Sequence, residues 1–118
     1  MQNFEGDRQT FMNLIRSNRG TIVFKFGAEW CDPCKKIKGL VNDLVTETLS
    51  KNTDGRVQFF DVDVDDSFDL YAFLKSKKMT KGIPVLLRYD SGNDSYAPDC
   101  SVTGTNNEEI ETFFRMIR

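Results

Sequence analysis

Histidine is missing altogether from the 118 residues. Its absence excludes Ser–His and Cys–His nucleophile pairs and every metal site built on imidazole. Cysteine is scarce: three residues are an odd number, and too few for the disulfide framework of a small secreted domain. An excess of one charge is lacking too. Sixteen basic residues stand against 18 acidic ones, a net charge of −2, and the basic residues form no stripe. That balance points to neither a nucleic-acid nor a membrane partner. Long apolar runs are also absent. Within residues 1–20 the best stretch is Phe11-Met12-Asn13-Leu14-Ile15, broken by Asn13, and nowhere is a run long enough to cross a bilayer. With no secretory leader in view, a cytoplasmic protein is expected.

What remains is ordinary globular material, 39% hydrophobic and 29% charged, with ten Phe supplying most of the bulky core volume. The length suits a single domain over residues 1–118, able to bury a core without disulfide staples. Nothing asks for an oligomer, so a monomer is expected.

Residues 7–18 read as a helix capped by Asp7, with Phe11, Leu14 and Ile15 on one face. Thr21–Gly27 (TIVFKFG) is a strand, apolar apart from Lys25, as expected where both faces are covered. After Ala28-Glu29-Trp30-Cys31-Asp32-Pro33-Cys34 comes a long helix. Its apolar positions Ile37, Leu40, Val41, Leu44, Val45 and Leu49 keep a 3.6-residue rhythm, with Asp32 as the expected N-cap and Pro33 as the first helical residue. Residues 57–64 form a second strand. Asp65-Asp66-Ser67 offers caps for a helix running to Lys77, whose closing lysines complement the helix dipole. Residues 83–89 are a third strand and 100–103 a fourth, paired as a hairpin across a polar loop. A last helix is capped near residues 105–107. The expected fold is α/β: a central mixed sheet of about four strands with helices on both sides.

Cys31 and Cys34 sit where a buried strand gives way to a helix. The thiolate is the nucleophile of disulfide exchange, and the positive end of a helix stabilises one placed at its start. Cys31, before the helix, is read as the exposed attacking sulfur. Cys34, one turn in, is read as the shielded resolving sulfur. Two other readings stand beside this one. Inert core cysteines are one, although Asp32-Pro33 is poor core material. A zinc site is the other, although it wants a second close Cys pair and only Cys100 is left, so no metal is expected.

The run Ala28-Glu29-Trp30-Cys31-Asp32-Pro33-Cys34-Lys35 resembles the active-site segment of the thioredoxin family. Gly82-Ile83-Pro84 resembles that family's cis-proline loop, and Gly104 the glycine completing its substrate groove. The resemblance covers about residues 20–118. It implies a thioredoxin fold and a protein-disulfide reductase with no cofactor, serving disulfide-containing proteins and recycled by a reductase partner, thioredoxin reductase by analogy. It also implies a substrate-facing surface of Trp30, Pro33, Ile83 and the Thr103-Gly104-Thr105 turn, with Asp32 added. The Ile83–Pro84 bond is expected to be cis against the Cys31 sulfur; an ordinary trans proline opening an edge strand is the alternative.

The chain departs from the family in four places. Asp32 replaces the usual glycine. An anion there disfavours the Cys31 thiolate, and as a cap it competes for the same N–H groups. The family's buried acid falls at Lys25 and its opposite lysine at Asp61, so the pair looks exchanged. Either Lys25 meets Asp61 beneath the cysteines, with Asp61 taking the Cys34 proton, or Lys25 snorkels outward. Gly39 stands where the helix is often kinked by proline. Lastly, the loop before Cys100 looks long, and the opening strand ahead of residue 7 looks weak or absent. Cys100 itself reads as a strand residue without a role, with a regulatory thiol as the alternative. The competing functions are a disulfide oxidase or isomerase, and a thioredoxin-fold binding module with vestigial cysteines.

Overall fold

In the computed structural model, which describes residues 1–117, every residue of strand β2 (Thr21–Gly27) is buried. That burial follows from its place at the centre of the sheet. Parallel strand β3 (Val57–Asp63) lies on one side and antiparallel β4 (Val85–Asp90) on the other. The hairpin partner β5 (Cys100–Thr103) closes one edge. The other edge holds a fifth strand, β1 (Gln2–Asn3), parallel to β3, giving the order β1-β3-β2-β4-β5. The sheet therefore has five strands where about four were expected. β1 is two residues long and has no periodicity of its own; pairing of Gln2 and Asn3 with Phe60 and Asp61 defines it.

Side-chain alternation along the strands sends residues to two cores. Phe24, Phe26, Val62 and Tyr89 pack on one face with helices α1 (Arg8–Arg16) and α3 (Phe68–Ser76). Val23, Phe59, Leu86 and Val102 pack on the other with α2 (Asp32–Lys51) and α4 (Asn107–Arg115). On the first face the buried Tyr89 hydroxyl donates to the Tyr96 carbonyl at 2.6 Å, tying down the long loop before Cys100. Burial, with a smaller contribution from the Asp99 charge, pushes the Tyr89 hydroxyl well above its ordinary range.

Helix starts follow local chemistry. The Asp7 carboxylate accepts the Thr10 N–H at 2.9 Å, and Asn106 accepts the Glu109 N–H at 3.0 Å. The α3 start differs from expectation. Ser67 occupies the cap position, but its side chain makes no capping bond. Instead Asp63 accepts the N–H groups of Asp65 and Asp66 at 2.8 and 3.1 Å, so a turn closed from β3 launches the helix. α2 runs unbroken through Gly39. No helix among the described residues is long and apolar enough to cross a membrane.

Candidate functional site

β2 delivers the chain to the site, and α2 begins there. Cys31 has extended backbone (φ −89°, ψ 104°), and its Sγ accepts the Cys34 N–H at 3.2 Å. Cys31 is therefore the N-cap of the 20-residue helix α2, and its sulfur occupies the position where the dipole and an unpaired N–H favour negative charge. This corrects the expectation that Asp32 caps the helix. Asp32 is the first helical residue. Its side chain is 87% exposed, with Lys35 Nζ 3.8 Å from its carboxylate. It takes no N–H away from the Cys31 sulfur.

Cys31 and Cys34 are joined as a disulfide, with Cα atoms 5.3 Å apart. The sulfurs do not divide into an exposed and a shielded one in this state: Cys31 is 4% and Cys34 6% exposed. Capping turns the Cys31 sulfur inward, where it lies 4.0 Å from the Ile83 carbonyl oxygen. The Ile83–Pro84 bond is cis. The Pro84 carbonyl in turn accepts the Gly104 N–H at 3.0 Å. Gly104 has φ +96°, a conformation that disfavours any side chain, and this lets the β5–α4 turn meet the proline loop. Cys31, Ile83, Pro84 and Gly104 are thus linked through successive contacts. Ile83 and Gly104 are half-buried, and Thr103 and Thr105 exposed beside them. Pro33 is exposed next to the disulfide. Trp30 is 65% exposed, yet its indole is held, donating to Asp65 at 2.8 Å.

Asp65 as the indole's partner was not found from sequence. The two residues are 35 positions apart, and the only available signal was an acid just past the end of a strand parallel to the one before Trp30.

Lys25 and Asp61 are register partners on β2 and β3, and Lys25 Nζ lies 3.9 Å from Asp61 Oδ1. Lys25 is 7% exposed, whereas the Asp61 side chain is 45% exposed. The cation is the buried member. Both line a cavity of about 410 Å³ that also reaches Gly27 and Cys34. Cys100 is a free, half-buried thiol on β5, opposite Arg88 of β4 and remote in sequence from the other two. Among the described residues no cluster of His, Cys, Asp or Glu is arranged to hold a metal ion.

A Cys-x-x-Cys disulfide at the start of a crossover helix, set against a cis-proline loop on a mixed sheet, defines the dithiol–disulfide class of proteins. A sequence model described as thioredoxin matches residues 3–116. The chain belongs to the thioredoxin family. It is 32% identical over 84 residues to thioredoxin 1 of Chlorobaculum tepidum, covering 71% of this chain and 74% of that one. It is 33% identical over 97 residues to thioredoxin of Ophiophagus hannah, covering 80% and 79%. Other relatives are longer: the match spans 28% of chloroplastic thioredoxin M2 of Arabidopsis thaliana and 49% of thioredoxin 3 of Plasmodium falciparum. Among solved structures, Fasciola hepatica thioredoxin superposes with a TM-score of 0.75 at 24% identity, covering 100% of both chains, a likeness of fold.

Proposed function

We propose that this chain is a protein-disulfide reductase working by dithiol–disulfide exchange. The observation that carries the reading is the Cys31 sulfur at the N-cap of α2, accepting the Cys34 N–H while bonded to Cys34. In the reduced protein the same N–H and helix dipole stabilise a thiolate on Cys31. That thiolate attacks one sulfur of a client disulfide. A Cys31–client bond forms, the client S–S bond breaks, and the other client sulfur leaves as a thiolate that takes a proton from water. Cys34 then attacks the Cys31 sulfur, regenerating the Cys31–Cys34 disulfide and releasing the second client sulfur. Two electrons pass from the dithiol to the client.

The Ile83–Pro84 loop and the Gly104 turn flank Cys31, the sulfur that makes the attack, and an extended client segment is the form of substrate this reading favours. Trp30, Pro33, Ile83, Thr103 and Thr105 border this place, and Asp32 makes it more polar. The partners in this reading are disulfide-containing proteins and a reductase that restores the dithiol, thioredoxin reductase being the one the family suggests. The compartment proposed is the cytoplasm, where such a dithiol is kept reduced.

The test is the reduction potential of the Cys31–Cys34 pair, measured by equilibration in glutathione buffers and thiol trapping. A value on the order of −270 mV supports a reductase. A value of roughly −120 to −180 mV makes the chain a disulfide donor or isomerase. Failure to form any disulfide leaves a binding module.

A further inference from the structure

The charge buried beneath the cysteines is positive. Strand alternation puts Val23, Lys25 and Gly27 on the same face of β2, the face that α2 covers. Gly27 presses against the resolving cysteine: a Cβ placed on it would stand 3.4 Å from Cys34 Sγ. Lys25 is two residues back along that face, about 7 Å of strand, and lines the same cavity as Cys34. The other charged groups around this cavity are wetter. Lys35 and Lys38 of α2 are exposed, as are Glu5, Glu29 and Asp66 at the rim. Asp61 and Asp63 of β3 are half-buried. Exposed charges are screened by water, whereas a buried one acts through a poorly polarisable medium. Lys25 is therefore the least screened of the charges that line the cavity with Cys34. Its one ion-pair partner among the described residues, Asp61, is 3.9 Å away and turned partly to solvent, so that pair neutralises the cation incompletely.

We propose that Lys25 is an electrostatic positioning residue that holds the Cys34 sulfur as a thiolate for the resolving step, an inference resting on the reductase reading above. When Cys31 is bonded to a client, the Cys34 thiol releases its proton to water through the cavity. The thiolate left behind faces Lys25. It attacks the Cys31 sulfur, the Cys31–client bond breaks, and the client sulfur departs as a thiolate that water protonates. Resolution then needs no carboxylate base, because the proton has already left. Asp61 trims the field of Lys25 and does not take the proton itself.

Two measurements test this. The first is the titration of Cys34 by thiolate ultraviolet absorbance, in a Cys31→Ser, Cys100→Ser background that leaves Cys34 as the one cysteine. Lys25→Met is expected to raise the midpoint by about one pH unit. Lys25→Arg, which keeps the charge, is expected to stay near the parent. Asp61→Asn, which removes the counter-charge, is expected to lower it. The second is stopped-flow release of thionitrobenzoate from its mixed disulfide with Cys31 in the intact pair. Below both midpoints Lys25→Met is expected to resolve roughly threefold more slowly, the attack by Cys31 being unchanged, since the smaller thiolate fraction is partly offset by the greater nucleophilicity of a more basic thiolate. An unmoved midpoint in Lys25→Met overturns the inference, as does slower resolution in Asp61→Asn, which would make Asp61 the base. The Cys34 titration does not depend on activity. Failure of the parent protein to form the mixed disulfide would instead refute the reductase reading.

Discussion

Replacing Asp32 with Asn removes the only charge between the two cysteines while keeping the shape of the side chain. Two mechanisms would link Asp32 to the Cys31 thiolate, and the structure leaves one. Capping competition is gone, because the Cys31 sulfur holds the Cys34 N–H and Asp32 points outward. What remains is Coulomb repulsion through water. Two unit charges about 6 Å apart at the dielectric constant of water interact by roughly 0.7 kcal/mol, or about half a pH unit. Physiological salt, with a Debye length of about 8 Å, cuts that by roughly half. Lys35, 3.8 Å from the carboxylate, reduces it further. Asp32→Asn is therefore expected to lower the Cys31 pKa by about 0.2 pH units at physiological salt and by roughly twice that at low salt. The assay is the rate of iodoacetamide alkylation of Cys31 against pH at two ionic strengths, read by mass spectrometry. No change at low salt, or a rise, would refute the electrostatic argument. A fall of more than one pH unit would show Asp32 acting through a drier medium than its exposure allows.

Two further outcomes are expected from parts of the fold outside the site. A Cβ on Gly39 meets nothing within 4 Å and α2 is continuous there, so Gly39→Ala should stabilise the protein by about 0.5–1 kcal/mol in urea denaturation; a loss of stability would mean that α2 needs a bend at this point. The Thr10 backbone N–H, and then its hydroxyl, hold the Asp7 carboxyl below its ordinary value of 3.8. Its cap contribution is then complete above that value and disappears as the pH falls through the lower folded-state value. The stability difference between the parent and Asp7→Ala should therefore be constant near neutrality and shrink on the acid side of 3.8. A difference that persisted undiminished in strong acid would contradict the capping bond.

How far the sequence reveals the fold depends on the range of the interactions. The apolar run TIVFKFG reads as a doubly covered strand because its surroundings on both faces are uniform, and β2 is buried throughout. The rhythm of α2 and the Asp7 cap are local, and both stand where expected. The helix at the site begins one residue earlier than the sequence implies. Cysteine and aspartate can each accept a cap bond, and the extended backbone of Cys31 decides between them. The placement of the Cys31 sulfur is a long-range effect, since it lies against the Ile83 carbonyl some fifty residues on, whereas the shielding of Cys34 one turn into the helix is legible locally. β1 was illegible for a similar reason: two residues carry no period, and only β3 makes them a strand.

Lys25 and Asp61 show why membership of a family leaves part of the chemistry open. β2 is covered on both faces, so a charge at its centre requires a partner, and the parallel register supplies one from β3. That requirement is symmetric in sign. The scaffold accepts an acid on β2 facing a base on β3, or the exchange found here, with the same backbone. The chemistry at the cysteines is not symmetric. A buried acid next to Cys34 disfavours its thiolate and stabilises the thiol or the disulfide, whereas a buried lysine stabilises the thiolate and with it the reduced form. Lys25 therefore moves the pair toward easier reduction, and the thiolate-stabilising cap at Cys31 works in the same direction. The exposed charge of Asp32 opposes them weakly. The cap and Asp32 are common to an otherwise equal protein with an acid at position 25 and cancel in the comparison, so Lys25 alone decides that the potential of this chain should lie on the oxidising side of that protein's.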